Sequence, residues 1–139
     1  MPEKIQITVE TAPKPFGNFS QAVKVQNTLY VSGQLPIDPA TGKPAGGDVE
    51  AQAKLVFQNM TNMMEACGAA LSHVITTTLY LTDLRDFPTV DKVSKDFFYF
   101  NPPARTTVGV SSLPGNCRLC IDAVAQLDLG SESQGPGMI

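Results

Sequence analysis

Two spacings in the chain bring together residue types able to do chemistry. Cys117 and Cys120 form a Cys-x-x-Cys pair, the arrangement of dithiol redox centres and of half of many zinc sites. Arg105 follows Pro102-Pro103-Ala104 and is followed by Thr106 and Thr107, so its guanidinium projects from stiff backbone. A planar fork held in this way suits a carboxylate, which it grips through two parallel hydrogen bonds.

The cysteine pair reads differently once its setting is considered. Residues 118 to 127 alternate, with Leu119, Ile121, Ala123 and Ala125 on one side and Cys120, Asp122, Val124 and Gln126 on the other, the pattern of a strand. Two positions three apart on a strand face opposite ways, which argues against a Cys117–Cys120 disulfide and against both thiolates on one metal. Cys67, His73, Cys117 and Cys120 complete a Cys₃His inventory, but the same geometry separates two of its members. Structural thiols are expected, and no metal. His73 has no Gly-x-Ser-x-Gly elbow to serve, and no Gly-x-Gly-x-x-Gly or Walker loop is present; Gly46-Gly47-Asp48 reads as a turn into a helix.

The elements that must position these residues follow from periodicity. Residues 5 to 9 alternate as a half-buried strand, and 21 to 25 and 28 to 32 form two short strands around a tight turn at Gln26-Asn27. Residues 33 to 47, broken by three prolines and four glycines, form a long loop, functional or locally folded. A helix is predicted over 49 to 67, with Val49, Ala53, Val56, Met60, Met63 and Cys67 facing the core and Gln52, Lys54, Asn59, Asn62 and Glu65 facing solvent. Asp48 and Gly68 cap its ends. Residues 74 to 81 read as a strand, a second helix begins with Asp86 as its cap and Phe87, Val90, Ser94 and Phe97 inward, and 105 to 110 and 118 to 127 are strands. Three strands, helix, strand, helix and two strands fit an α+β architecture, two helices on one face of a mixed sheet. One domain over 1–129 and a flexible tail over 130–139 are expected.

Composition narrows the function. The 139 residues, 42% hydrophobic, suffice for one apolar core. A net charge of -3 without a basic stripe disfavours nucleic acid, and no run of apolar residues reaches membrane-spanning length. Three cysteines, an odd number, fit a reducing compartment, so the cytoplasm or an organelle matrix is expected.

Five segments can be read together: Gly17-Asn18-Phe19-Ser20-Gln21-Ala22, Val31-Ser32-Gly33-Gln34-Leu35-Pro36, Gly47-Asp48-Val49-Glu50-Ala51-Gln52, Thr77-Thr78-Leu79-Tyr80-Leu81-Thr82-Asp83 and Pro102-Pro103-Ala104-Arg105-Thr106. In order and spacing they resemble the Rid family of reactive-intermediate deaminases, also called YjgF and formerly labelled L-PSP endoribonuclease, over about Ala12 to Gln126. The resemblance implies a chorismate-mutase-like protomer, a homotrimer with its sheets around a central barrel, and ligand clefts at the subunit interfaces. It implies hydrolysis of 2-iminopropanoate and 2-iminobutanoate to 2-keto acids and ammonia, without metal or organic cofactor. Arg105 matches the family's carboxylate-binding arginine, and Ser32 and Gly33 match residues that line the cleft. Phe19 stands where a Tyr is usual and Asp91 where an Asn is common, both at substrate-binding positions. Cys120 replaces the Glu that orients the attacking water, with Asp122 two residues on along the same face. A non-catalytic trimeric module for small carboxylates or keto acids is the alternative. Ribonuclease activity has no support in a chain with one His and no phosphate track.

Overall fold

The computed structural model describes residues 1–130, so the predicted tail, Gly130 apart, lies outside the described residues. Eight elements follow in the predicted order: β1 (Lys4–Ile7), β2 (Ala22–Val25), β3 (Thr28–Gln34), α1 (Val49–Ala66), β4 (Val74–Leu81), α2 (Phe87–Phe97), β5 (Ala104–Gly109) and β6 (Leu119–Gln126). The strands form one sheet in the order β1-β2-β3-β6-β4-β5. Only β4 and β5 are parallel, which requires a crossover, and α2 supplies it.

One face of the sheet is covered. Leu29, Val31, Leu79, Leu81, Leu119, Ile121, Ala123 and Ala125 point into a core completed by Val56, Phe57, Met60, Met63 and Met64 of α1 and Val90 and Val93 of α2. The opposite face carries the half-buried Cys120, Asp122, Val124 and Gln126, and the exposed Tyr30. The methionines of α1 are core packing, as their helical spacing implies. No helix among the described residues is long and apolar enough to cross a membrane.

Several expectations are corrected. Gln52 and Asn59 are buried rather than solvent-facing, because each ties backbone groups that would otherwise lack partners. Gln52 accepts the Arg118 N–H at 3.0 Å, and the Asn59 amide donates to the carbonyls of Leu35 and Ile37. The loop after β3 is thereby anchored, and an Ile37–Pro44 bridge folds it locally. Asp86 precedes α2 but makes no side-chain cap; its Oδ1 accepts from Arg118 Nη2 at 2.8 Å. Asp48 does cap α1, accepting from Ala51 N–H at 2.9 Å, and Gly68 follows the helix with a φ of +73°. Cys67 stands just past α1 and is half-buried. β1 is an exposed edge strand that ends at Ile7, and β3 runs two residues beyond the expected end, to Gln34.

Candidate active site

Arg105 lies at the second position of β5, in register with Thr77 of β4. Thr77 is buried on the helix-covered face, so Arg105 leaves its strand on that side. There Nη2 donates to Oδ1 of Asp91 at 3.0 Å, and the guanidinium carbon lies 5.0 Å from the centre of the Phe87 ring. Phe87 and Asp91 are one turn apart on α2, where i and i+4 share a face. Ion pair and ring together fix the fork. The pair is partly open to solvent, with side-chain exposures of 27% for Arg105 and 32% for Asp91, so it positions the group more than it stabilises the fold. Beside it opens a cavity of about 290 Å³, with Ser94, Lys95, Phe98 and Pro103 among its walls.

Cys120 and Asp122 stand elsewhere. Cys120 pairs in register with Tyr80, and Asp122 with Thr78, on the face away from the helices. Thr78 N–H donates to Asp122 Oδ1 at 2.9 Å and the Tyr80 hydroxyl donates to Oδ2 at 3.3 Å, so both carboxylate oxygens are engaged. The neighbouring Asp122 charge in turn raises the Tyr80 phenol above its ordinary value. Burial, with Asp122 and Cys117 adding to it, pushes the Cys120 thiol up to about 12. It is a neutral thiol at physiological pH.

Ser32 and Gly33 occupy an irregularity of β3, where the register with β6 shifts between Val31 and Gln34. The shift brings Gly33 against Cys120: a Cβ on Gly33 would lie 2.6 Å from Sγ. The Ser32 hydroxyl donates to the Ser20 carbonyl at 2.7 Å. Phe19 is exposed on the preceding loop and packs edge-to-face on Phe16. Gln21 anchors that loop, accepting from Val9 N–H and donating to the carbonyls of Val9, Ala12 and Pro13.

The predicted residues thus fall into two groups within one chain. Arg105 and Asp91 share the helix side of the sheet, while Phe19, Ser32, Gly33, Cys120 and Asp122 cluster at the loop end and on the open face. Phe87 and Ser94, expected only as the inward face of the second helix, join the site with Lys95, and Tyr80 joins the group around Asp122. The four-residue step from Phe87 to Asp91 was the available signal for the aromatic platform under Arg105.

The family model described as Endoribonuclease L-PSP matches residues 9–127, nearly the whole described chain. The chain belongs to the Rid family. A RutC family protein of Pyrococcus abyssi is 44% identical over 119 residues, covering 86% of this chain and 94% of the relative. A human protein named 2-iminobutanoate/2-iminopropanoate deaminase is 40% identical over 119 residues, covering 86% of this chain and 87% of its own length. Among solved structures, E. coli TdcF with bound serine superposes with a TM-score of 0.83 at 34% identity, covering 88% of this Rid chain and 98% of TdcF.

Proposed function

We propose that this Rid-family chain is a hydrolase of short 2-imino acids, converting 2-iminopropanoate and 2-iminobutanoate to the 2-keto acids and ammonia. The observation that carries the reading is Arg105, a fixed guanidinium at the mouth of a cavity. One Nη2 hydrogen is engaged by Asp91, and no other hydrogen bond of the fork is made among the described residues, so the second Nη2 hydrogen together with the Nε or Nη1 N–H beside it can take a carboxylate. Relatives about 40% identical bear the deaminase name, and TdcF holds serine, a small α-carboxylate of the same kind.

The reaction makes modest demands. A protonated imine is already electrophilic, so holding its carboxylate and placing one water near the imine carbon supply much of the rate. Water adds to the carbon, the C=N pair returns to nitrogen, and the carbinolamine then expels ammonia to leave the keto acid. The separation of the two residue groups favours a site completed between subunits, with Arg105 of one chain meeting the Ser32-Gly33 loop and Cys120 of another in a homotrimer. No metal or organic cofactor enters this reading.

The test supplies pure protein with enzymatically generated 2-iminopropanoate and follows ammonia and pyruvate. Faster release than in buffer alone supports hydrolysis. One observation favours a second reading, a module that binds small carboxylates without turning them over: the residue at the usual Glu position is a thiol pushed up to about 12, unable to accept a proton from water. Arg105-dependent binding of a 2-keto acid with no acceleration of imine hydrolysis would establish that module instead.

A further inference from the structure

Resting on the deaminase reading, we propose that Asp91 is the general base and acid of this chain, the carboxylate that takes the proton of the attacking water and returns it to the departing nitrogen. Hydrolysis needs one group that accepts and then donates a proton close to the carboxylate clamp, and three side chains compete for that task. Cys120 carries a half-buried thiol packed against Gly33. Asp122 has both oxygens taken, by the Thr78 N–H and the Tyr80 hydroxyl. Both of these lie on the sheet face opposite Arg105 in their own chain.

Asp91 meets the requirements the other two miss. It lines the cavity beside Arg105 and is about one-third exposed, so water reaches it. Only Oδ1 is held, by Arg105 Nη2, and Oδ2 has no partner among the described residues. The eleven-residue helix α2 fixes its backbone, and its carbonyl accepts from the Ser94 hydroxyl at 2.7 Å. A substrate whose carboxylate sits on the remaining edge of the Arg105 fork places its iminium nitrogen and the adjacent carbon next to a negative carboxylate, which attracts that cation. The pairing of one fixed cation with one fixed anion matches the charge layout of a 2-iminium carboxylate.

Water's oxygen bonds to the imine carbon as its proton passes to Oδ2, and the C=N electron pair moves to nitrogen. Asp91 then protonates that amine, the C–N bond breaks as the carbinolamine hydroxyl releases its proton to the carboxylate, and Asp91 hands that proton to the departing ammonia, giving keto acid and ammonium with Asp91 ionised again. The charged groups facing Asp91 are Arg105 from β5 and Lys95 one turn along α2; the walls from α1, β4 and β6 are Phe57, Thr77, Leu79 and Ile121, none of which titrates.

The test compares the full-length protein with Asp91→Asn and Asp91→Glu over pH 5 to 9, reading kcat and KM for 2-iminopropanoate. Asp91→Asn keeps a hydrogen-bond acceptor for Arg105 but cannot take a proton. It is expected to lower kcat about a hundredfold, within the usual range for loss of an acid-base group, with KM changed less than about threefold. The acid limb of the wild-type profile is expected to vanish in Asp91→Asn and to return in Asp91→Glu with part of the rate. Undiminished kcat in Asp91→Asn, or a lowered kcat with the acid limb intact, overturns the proposal and leaves the deaminase reading standing. A wild-type protein that hydrolyses no imino acid overturns both.

Discussion

Arg105 is stiff because of what surrounds it: proline-bounded backbone behind, the Phe87 ring beneath and Asp91 at one edge. If that fork holds the substrate carboxylate, Arg105→Ala removes a charge-assisted contact of about 2–3 kcal/mol, and kcat/KM for 2-iminopropanoate should fall about a hundredfold. Arg105→Lys should recover only part, since an ammonium cannot bridge two oxygens while also pairing with Asp91. Steady-state kinetics on folded variants decides this. The Cys120 thiol makes a second prediction at the same scale. Its value rises from the ordinary 9.0 to about 12 on folding, so the folded state favours the protonated form. The associated stability is complete below pH 9 and is lost as pH rises toward 12. Urea unfolding at pH 8 and pH 10.5 should therefore show a fall that Cys120→Ser lessens; Cys67 and Cys117 are raised in the same direction and retain the rest.

The bulge in β3 is the element that shapes the second residue group. By breaking the register with β6 between Val31 and Gln34, it turns Gly33 toward Cys120 with no room for a side chain. Gly33→Ala should force the thiol or the strand to move and cost about 1–3 kcal/mol, the usual penalty for overpacking. The same substitution in a Cys120→Ala background should cost clearly less, because the clashing sulfur is gone. Thermal unfolding of the four proteins of this cycle measures the coupling, and equal costs in both backgrounds would show that the backbone at Gly33, not the contact, is what matters.

For the whole molecule, the sheet has one face packed on two helices and one left with Tyr30, Thr78, Cys120, Asp122 and Val124 at or near the surface. The proposed homotrimer would cover that face and bring Arg105 of one chain toward the Ser32-Gly33 loop of the next. Sedimentation equilibrium should then return three times the 14.9 kDa of the chain. A charged substitution at Val124, which points to the open face, should shift the protein toward monomer and lower activity together. A fully active monomer would rule out a shared site.

Much of this protein was legible in its residues. Alternation of period two and stepping of period 3.6 are local signals, and they placed all eight elements within a few residues; the Pro-Pro stop before Arg105 and the alternation of β6 were read in the same way. The mistaken residues share a cause. Gln52, Asn59 and Asp86 look like surface or cap positions because polar side chains usually are, yet their partners Arg118, Leu35 and Arg118 lie 66, 24 and 32 residues away. Nothing in a local window announces such a partner. Alternation likewise separates a strand's residues into two faces without saying which strand lies alongside. Only the insertion of β6 between β3 and β4, and the parallel docking of β5 on β4, put Asp91 beside Arg105 and turned Cys120 away from it. Sequence alone determined the family, the elements and the residues with chemical potential; tertiary pairing decided their grouping, because distance through space in a sheet depends on strand order, which no local periodicity encodes.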